Sequence, residues 1–204
     1  IWYCLSNTRW TMDRKTMIYK QAIQNYYLRD KLDNHNDLKN EILVMIHNAH
    51  DGNLIDNQNN QDNEISKLDW NNHADFDRPW VKLLLPSLID KLGLMAYSMG
   101  YEGIFMKSIW YQQYEKNSIH DWHVHSENYT GVYYLEYPNG SPATELFDTK
   151  LNIPNVSEGD VVMFPSMTPH RAPSVTSDLR KTIISYNFNV HQLNQERLKQ
   201  VKNV

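Results

Sequence analysis

The stretch "HVHSENYTGVYYLEY", His123–Tyr137, decides how the rest of the chain is read. Its second half, "GVYYLEY", is β-branched and aromatic, a composition that fits a pleated, half-buried strand. Its first half carries two histidines two positions apart. On extended backbone alternate residues share a face, so Asp121, His123, His125 and Glu127 point one way and Trp122, Val124 and Ser126 the other. Two readings of this pattern stay open. One is a polar solvent face opposite a buried Trp122 and Val124. The other is a metal site, because imidazoles at i and i+2 can converge on one cation. A third ligand must then come from elsewhere. His120 falls on the other face of an ideal strand and reads as a bystander.

Outward from this stretch the chain divides into two characters. Before Gly103 it reads as helix and loop. "DLKNEILVMIHNA" sets Leu38, Ile42, Met45, Ile46 and Ala49 near one helical face. "HDGNLIDNQNNQDNE" is rich in Asn, Asp and Gln and reads as an exposed loop. In "RPWVKLLLPSLIDKLGLMAYSMGY", Pro79 suits a first helical turn, Pro86 predicts a kink or restart, and Gly100 predicts a stop. After Gly103 strands are expected at "IFMKSIWYQQYE" (104–115), Trp122–Val124, Gly131–Tyr137, Glu145–Phe147, Asp160–Phe164 and Thr182–Val190. "PNGSP", "NIPNVSEGD" and "FPSMTPH" are turn tracts between several of them. Many short strands with such punctuation predict an α+β protein built on a β-sandwich or jelly roll, its N-terminal helices packed outside one sheet. The expected organisation is a single domain, 1–204, with a mainly helical layer (1–102), a jelly-roll core (103–191) and a tail (192–204).

Bulk properties remove several function classes. The chain has 204 residues, enough for one sizeable core. Its 20 basic residues against 24 acidic ones give a net charge of −4, which carries no basic footprint for nucleic acid. Cys4 is the only cysteine, so no intramolecular disulfide forms and a cytoplasmic, reducing setting is expected. Apolar runs such as "WVKLLLPSLI" are too short and interrupted to span a bilayer, and no signal-peptide pattern opens the chain at Ile1. The expectation is therefore no membrane partner.

Of the other histidines, His35, His47, His50, His73 and His191 share no spacing and read as ordinary surface or boundary residues. His170 differs. It sits in "GDVVMFPSMTPHRAPSVTSDLRKTIISYNFNV", past an apolar strand and a Pro-containing turn, and Arg180 follows ten positions later. Read singly, these are a loop histidine and a solvated arginine. Taken in order, His123-Val-His125, "GVYYL", "GDVVMFP", His170 and Arg180 with Thr182 resemble the non-haem iron(II), 2-oxoglutarate-dependent oxygenases. "HVHSENYTGVYYL" and the closing "ISYNF" are similar to the HxH-type, prolyl-hydroxylase-like group of marine bacteria and phages. The resemblance covers roughly the C-terminal half, as a double-stranded β-helix.

What the resemblance implies is specific. His123 and His170 would be iron ligands, with His125 in the place usually held by Asp or Glu. Fe(II) would leave positions open for 2-oxoglutarate and O₂. Arg180 would bind the keto acid's far carboxylate, helped by Thr182 on the same strand face and by Tyr134 and Tyr114. Both tyrosines also read as core aromatics with a wet hydroxyl, and Trp110, Trp122 and Phe164 read as packing. A second register is open: His125-Ser126-Glu127 spells HxE, with Glu127 as ligand, and Asp121 could orient a ligand imidazole. The implied activity is hydroxylation of a C–H bond with release of succinate and CO₂, on a small-molecule or peptide substrate. Two other classes fit the histidines: a three-histidine zinc hydrolase or hydratase, and a non-catalytic jelly-roll binding module.

Overall fold

The computed structural model describes residues 26–49 and 63–201. Most of the Asn-rich loop expected after residue 49 lies outside them, as do Cys4 and His50. In chain order the elements are β1 (Leu28–Lys31), α1 (His35–Asn48), β2 (Asn63–Glu64), β3 (Lys67–Leu68), a 3-10 turn (Trp70–Asn72), α2 (Pro79–Ser98), β4 (Tyr101–Tyr114), β5 (Ile119–His123), β6 (Tyr129–Glu136), β7 (Glu145–Asp148), β8 (Lys150–Asn152), β9 (Asp160–Pro165), β10 (His170–Ala172), β11 (Lys181–Leu193) and α3 (Gln195–Val201).

The helices form where apolar residues recur at helical spacing. In α1, Ile42 and Ile46 are fully buried, and in α2 Val81, Leu84, Leu88, Leu92 and Met95 make one continuous stripe. Pro79 opens α2, as expected. Pro86 does not break it: the helix runs unbroken through to Ser98. A mid-helix proline costs about 3 kcal/mol, and burying Leu84 and Leu88 on either side, at about 1.5–3 kcal/mol each, offsets it. Gly100, at φ +95°, supplies the left-handed turn that ends the helix and starts β4. No helix among the described residues is long and apolar enough to cross a membrane.

The strands form two antiparallel sheets. One has the order β1-β9-β6-β11-β4-β3, the other β2-β5-β10-β7-β8. Strand alternation gives the six-stranded sheet two apolar faces. Ile109, Tyr111, Tyr133, Leu135, Ile184 and Tyr186 pack with α1 and α2, while Tyr114, Val132, Tyr134 and Ile183 pack with Leu146 and Ala172 of the five-stranded sheet. Neighbours such as Ile183 and Ile184 thus enter opposite cores. Gly131, on β6, is required by closeness: a Cβ there would sit 2.1 Å from the Val162 carbonyl and 2.6 Å from the Tyr186 hydroxyl.

Three local expectations are corrected. His35 is 3% exposed, with Nδ1 2.6 Å from the Tyr133 hydroxyl, so it is a core histidine and not a surface one. His170 heads a short strand, β10, which its turn-rich flanks conceal. β11 runs on past Val190 to Leu193, and α3 follows in the stretch read as a tail.

Candidate metal centre

The alternation read along Asp121–Glu127 holds. Trp122 and Val124 are exposed, whereas His123 and His125 are partly buried and face inward. β5 pairs with β10 so that His123 and His170 are direct partners across the ladder. His125 follows just beyond β5, held by its backbone N–H on the Ser166 carbonyl. The ring centroids are 4.2 Å apart for His123 and His170, and 5.1 Å apart both for His123 and His125 and for His125 and His170. One ligand nitrogen from each lies within 4.8 Å of the others.

Backbone carbonyls set the orientation of two of these rings. His123 Nδ1 donates to the Asp121 carbonyl at 2.7 Å, and His170 Nδ1 donates to the Thr168 carbonyl at 2.9 Å. Each bond places the proton on Nδ1 and leaves the Nε2 lone pair for a cation. Asp121 thus orients the His123 ring through its backbone carbonyl. For His125, the Asn187 amide lies 3.4 Å from Nδ1, and Asn187 Oδ1 is buried without a hydrogen-bond partner among the described residues. A half-turn of that amide makes Oδ1 the acceptor of Nδ1–H and satisfies both groups. All three imidazoles are held neutral. Burial is the main cause, lowering His170 to about 2 and His125 to about 4, and it lowers His123 as well. Neutral imidazole is the form that binds metals.

His120 is not a bystander. Between the pairs His170↔His123 and Ala172↔His120, β10 advances two residues and β5 three, so β5 carries a bulge. The extra residue turns His120 onto the inward face. There its ring stacks on His123, with centroids 4.0 Å apart and planes 21° apart. Its Nδ1 lies 3.2 Å from Gln112 Nε2, and Ser185 Oγ donates to Gln112 Oε1 at 2.7 Å. Burial lowers the His120 pKa to about 3, so this ring too is neutral.

The other expected residues divide by face. Glu127 and Asp121 lie outside the ligand cluster, which contains no carboxylate. Tyr114 lines the cavity beside the histidines, with Trp110, Gln112, Ile183 and Ser185. Its hydroxyl is buried without a hydrogen-bond partner among the described residues. The Tyr134 hydroxyl bonds Thr144 Oγ1 at 3.1 Å, and Thr144 lines the same cavity. Trp110, read as packing, forms the wall beside His125 at 5.9 Å between centroids. Trp122 is exposed, with the Arg171 guanidinium over its ring. Phe164 is buried with its edge on His170.

Arg180 and Thr182 both hydrogen-bond Glu136 and are not among the residues lining the histidine cavity. Directly paired residues share a sheet face. Thr182 pairs with Gln113, and Lys181 with Tyr114. Arg180 is bidentate to Glu136, at 2.8 and 3.1 Å, and 38% of its side chain is exposed. Thr182 Oγ1 donates to the same Glu136 and accepts from Gln113. The residue turned toward Tyr114 is Lys181. It is 1% exposed, its Nζ donates to the Pro142 carbonyl at 3.0 Å, and it lies 4.6 Å over the Tyr114 ring. No carboxylate pairs with it among the described residues, and burial lowers its pKa to about 7. The parity of β11 is the signal that separates Lys181 from Arg180, and it needs the register with β4.

No family model matches the chain, and no curated protein matches it. Solved structures do. HygX from Streptomyces hygroscopicus, solved with nickel and 2-oxoglutarate bound, superposes with a TM-score of 0.59 at 9% identity, over 81% of this chain and 83% of that one. A Pseudomonas putida prolyl-4-hydroxylase gives 0.54 at 13%, over 82% and 94%. The viral collagen prolyl hydroxylase of Paramecium Bursaria Chlorella virus-1, in its 2OG complex, gives 0.53 at 15%, over 82% and 97%. At these identities what is shared is the fold, two antiparallel sheets with helices outside.

Proposed function

We propose that this chain is an iron(II)- and 2-oxoglutarate-dependent oxygenase that hydroxylates a C–H bond of a small-molecule or peptide substrate in the cytoplasm. Its sheets then form a double-stranded β-helix, or jelly roll. The donor set fits the metal: three neutral imidazoles converge, two with Nδ1 tied to carbonyls and Nε2 free. Bound iron(II), with 2-oxoglutarate and O₂, supplies the oxidising chemistry and yields succinate and CO₂.

One observation carries the keto-acid half of this reading. Lys181, buried and without a carboxylate partner among the described residues, lies against Tyr114, a residue of the wall of the histidine cavity whose hydroxyl is buried and unsatisfied. A buried ammonium without an anion is costly, and a bound carboxylate relieves that cost. Burial raises the Tyr114 pKa, so the phenol keeps its proton and donates. Lys181 and Tyr114 together fit the far carboxylate, and they replace Arg180 and Thr182 in that role. Tyr134 fixes Thr144 in the wall between. The cavity is tight, about 20 Å³, room for about one water. Entry of a dicarboxylate therefore requires this cavity to widen. A three-histidine zinc enzyme would also fit the donor set but gives no use for Lys181.

Anaerobic titration of the Fe(II)-loaded protein with 2-oxoglutarate tests the proposal. Saturable binding, lost in Lys181→Met at full iron content, is expected. Absence of binding, together with zinc as the metal retained on purification, would overturn it in favour of a hydrolytic centre.

A further inference from the structure

His120 lies outside the ligand set, yet a bulge turns it inward and a two-bond relay from Ser185 through Gln112 ends on it. With Gln112 oriented as the structure gives it, the relay sets the His120 tautomer. Ser185 Oγ–H on Gln112 Oε1 orients the amide so that Nε2–H of Gln112 points at His120 Nδ1. Nδ1 is then the acceptor, and the ring proton sits on Nε2. That Nε2–H has no protein acceptor among the described residues, although the ring lines the cavity. Stacking on His123 holds the ring edge-on to the space beside the metal ligands.

The level of His120 in the barrel indicates what it meets. Along the inward face of β11 lie Lys181, Ile183, Ser185 and Asn187, and along β4 the facing residues Tyr114, Gln112 and Trp110. The relay through Gln112 and Ser185 is therefore one inward position from the Asn187–His125 level, about 7 Å along the strand. It lies between that level and the Lys181–Tyr114 end. A five-carbon keto acid spans about 5 Å along its four carbon–carbon bonds, and a hydrogen bond at each end lets it bridge the Lys181 end and this middle level.

Resting on the functional reading above, we propose that His120 is a positioning residue. It donates Nε2–H to an oxygen at the keto-carboxylate end of 2-oxoglutarate while Lys181 and Tyr114 hold the other end. Gln112 and Ser185 set the tautomer that makes the donation possible.

Calorimetric titration of 2-oxoglutarate into the nickel-loaded protein tests this, because nickel in the three-histidine site would support no turnover. His120→Phe keeps the stack on His123 but removes the donor. It should weaken binding roughly ten- to a hundredfold at unchanged nickel stoichiometry. His120→Gln retains an N–H and should recover most of that loss, which a packing role would not. Gln112→Leu leaves every imidazole in place and should also weaken binding. Imidazole ¹⁵N shifts of the metal-free protein should report protonated Nε2 and bare Nδ1 at His120. Tight binding by His120→Phe at full nickel occupancy, or the opposite tautomer, overturns the proposal. Failure of the unaltered protein to bind 2-oxoglutarate overturns the functional reading itself.

Discussion

His123 and His170 are cross-strand partners on β5 and β10, their ring centroids 4.2 Å apart and each Nδ1 tied to the carbonyl two residues before it. The pair is thus preset by backbone geometry before any cation arrives. His123→Ala or His170→Ala should abolish metal retention in elemental analysis of the purified protein. Asn187→Leu, which removes only the group that orients His125, should weaken metal affinity by about 10–100-fold, measured by competition with a chromophoric chelator.

The metal-free protein should lose stability as the pH falls below 6.5. His170, His120 and His125 have folded-state values of about 2, 3 and 4, each lowered chiefly by burial. Between those values and 6.5 the unfolded chain binds protons that the folded chain does not, so unfolding gains. Each fully buried histidine contributes up to about 1.4 kcal/mol per pH unit, and the partly exposed rings contribute less through solvent screening. Urea midpoints at pH 7.5, 6 and 4.5 check this. A flat profile would contradict the burial of the cluster.

Binding of 2-oxoglutarate should weaken with rising pH. The Lys181 ammonium has a pKa of about 7 when buried without an anion. A bound carboxylate favours the charged form and raises that value, so binding above pH 7 takes up a proton. Affinity should fall up to about tenfold per unit between pH 7 and 9. Lys181→Arg should flatten the profile, because a guanidinium stays charged throughout. Arg180→Met should leave binding unchanged and cost less than about 1 kcal/mol of stability, as a half-exposed ion pair does.

Gly131→Ala should be severely destabilising, by more than about 4 kcal/mol. Its methyl would meet backbone at Val162 and the hydroxyl of the fully buried Tyr186, and neither can step aside cheaply. Thermal unfolding of the variant, followed by circular dichroism, measures the loss. A melting temperature within a few degrees of the parent would show that β6 and β9 can part.

Legibility in the sequence follows how strongly each feature depends on local pattern. That His123 and His125 turn inward together is legible because Trp122 and Val124 alternate with them on a strand with one exposed face. α2 was readable from its apolar stripe, but its continuity through Pro86 was not, since that depends on burial from both sides. His120 was misread because a bulge shifts parity by one residue and leaves no local mark. Which of Arg180 and Lys181 turns toward Tyr114 is hidden for a related reason. In "RKTIISYNF" both faces of β11 are buried, so the run has no polar-apolar alternation from which to decide which cation turns inward. Only pairing with Tyr114 and Gln113 decides it.

The division of the site between sheets has a mechanical consequence. The histidine rings belong to the five-stranded sheet and the segment leaving it, whereas Lys181, Tyr114 and Asn187 belong to the six-stranded one. A cation joined to a dicarboxylate would act as a tie rod between two plates that otherwise meet through side-chain packing and a few polar contacts such as Gln112–His120. Loading should then slow amide hydrogen exchange along the short strand β10 as well as the long strand β11, stiffening the thinner plate most.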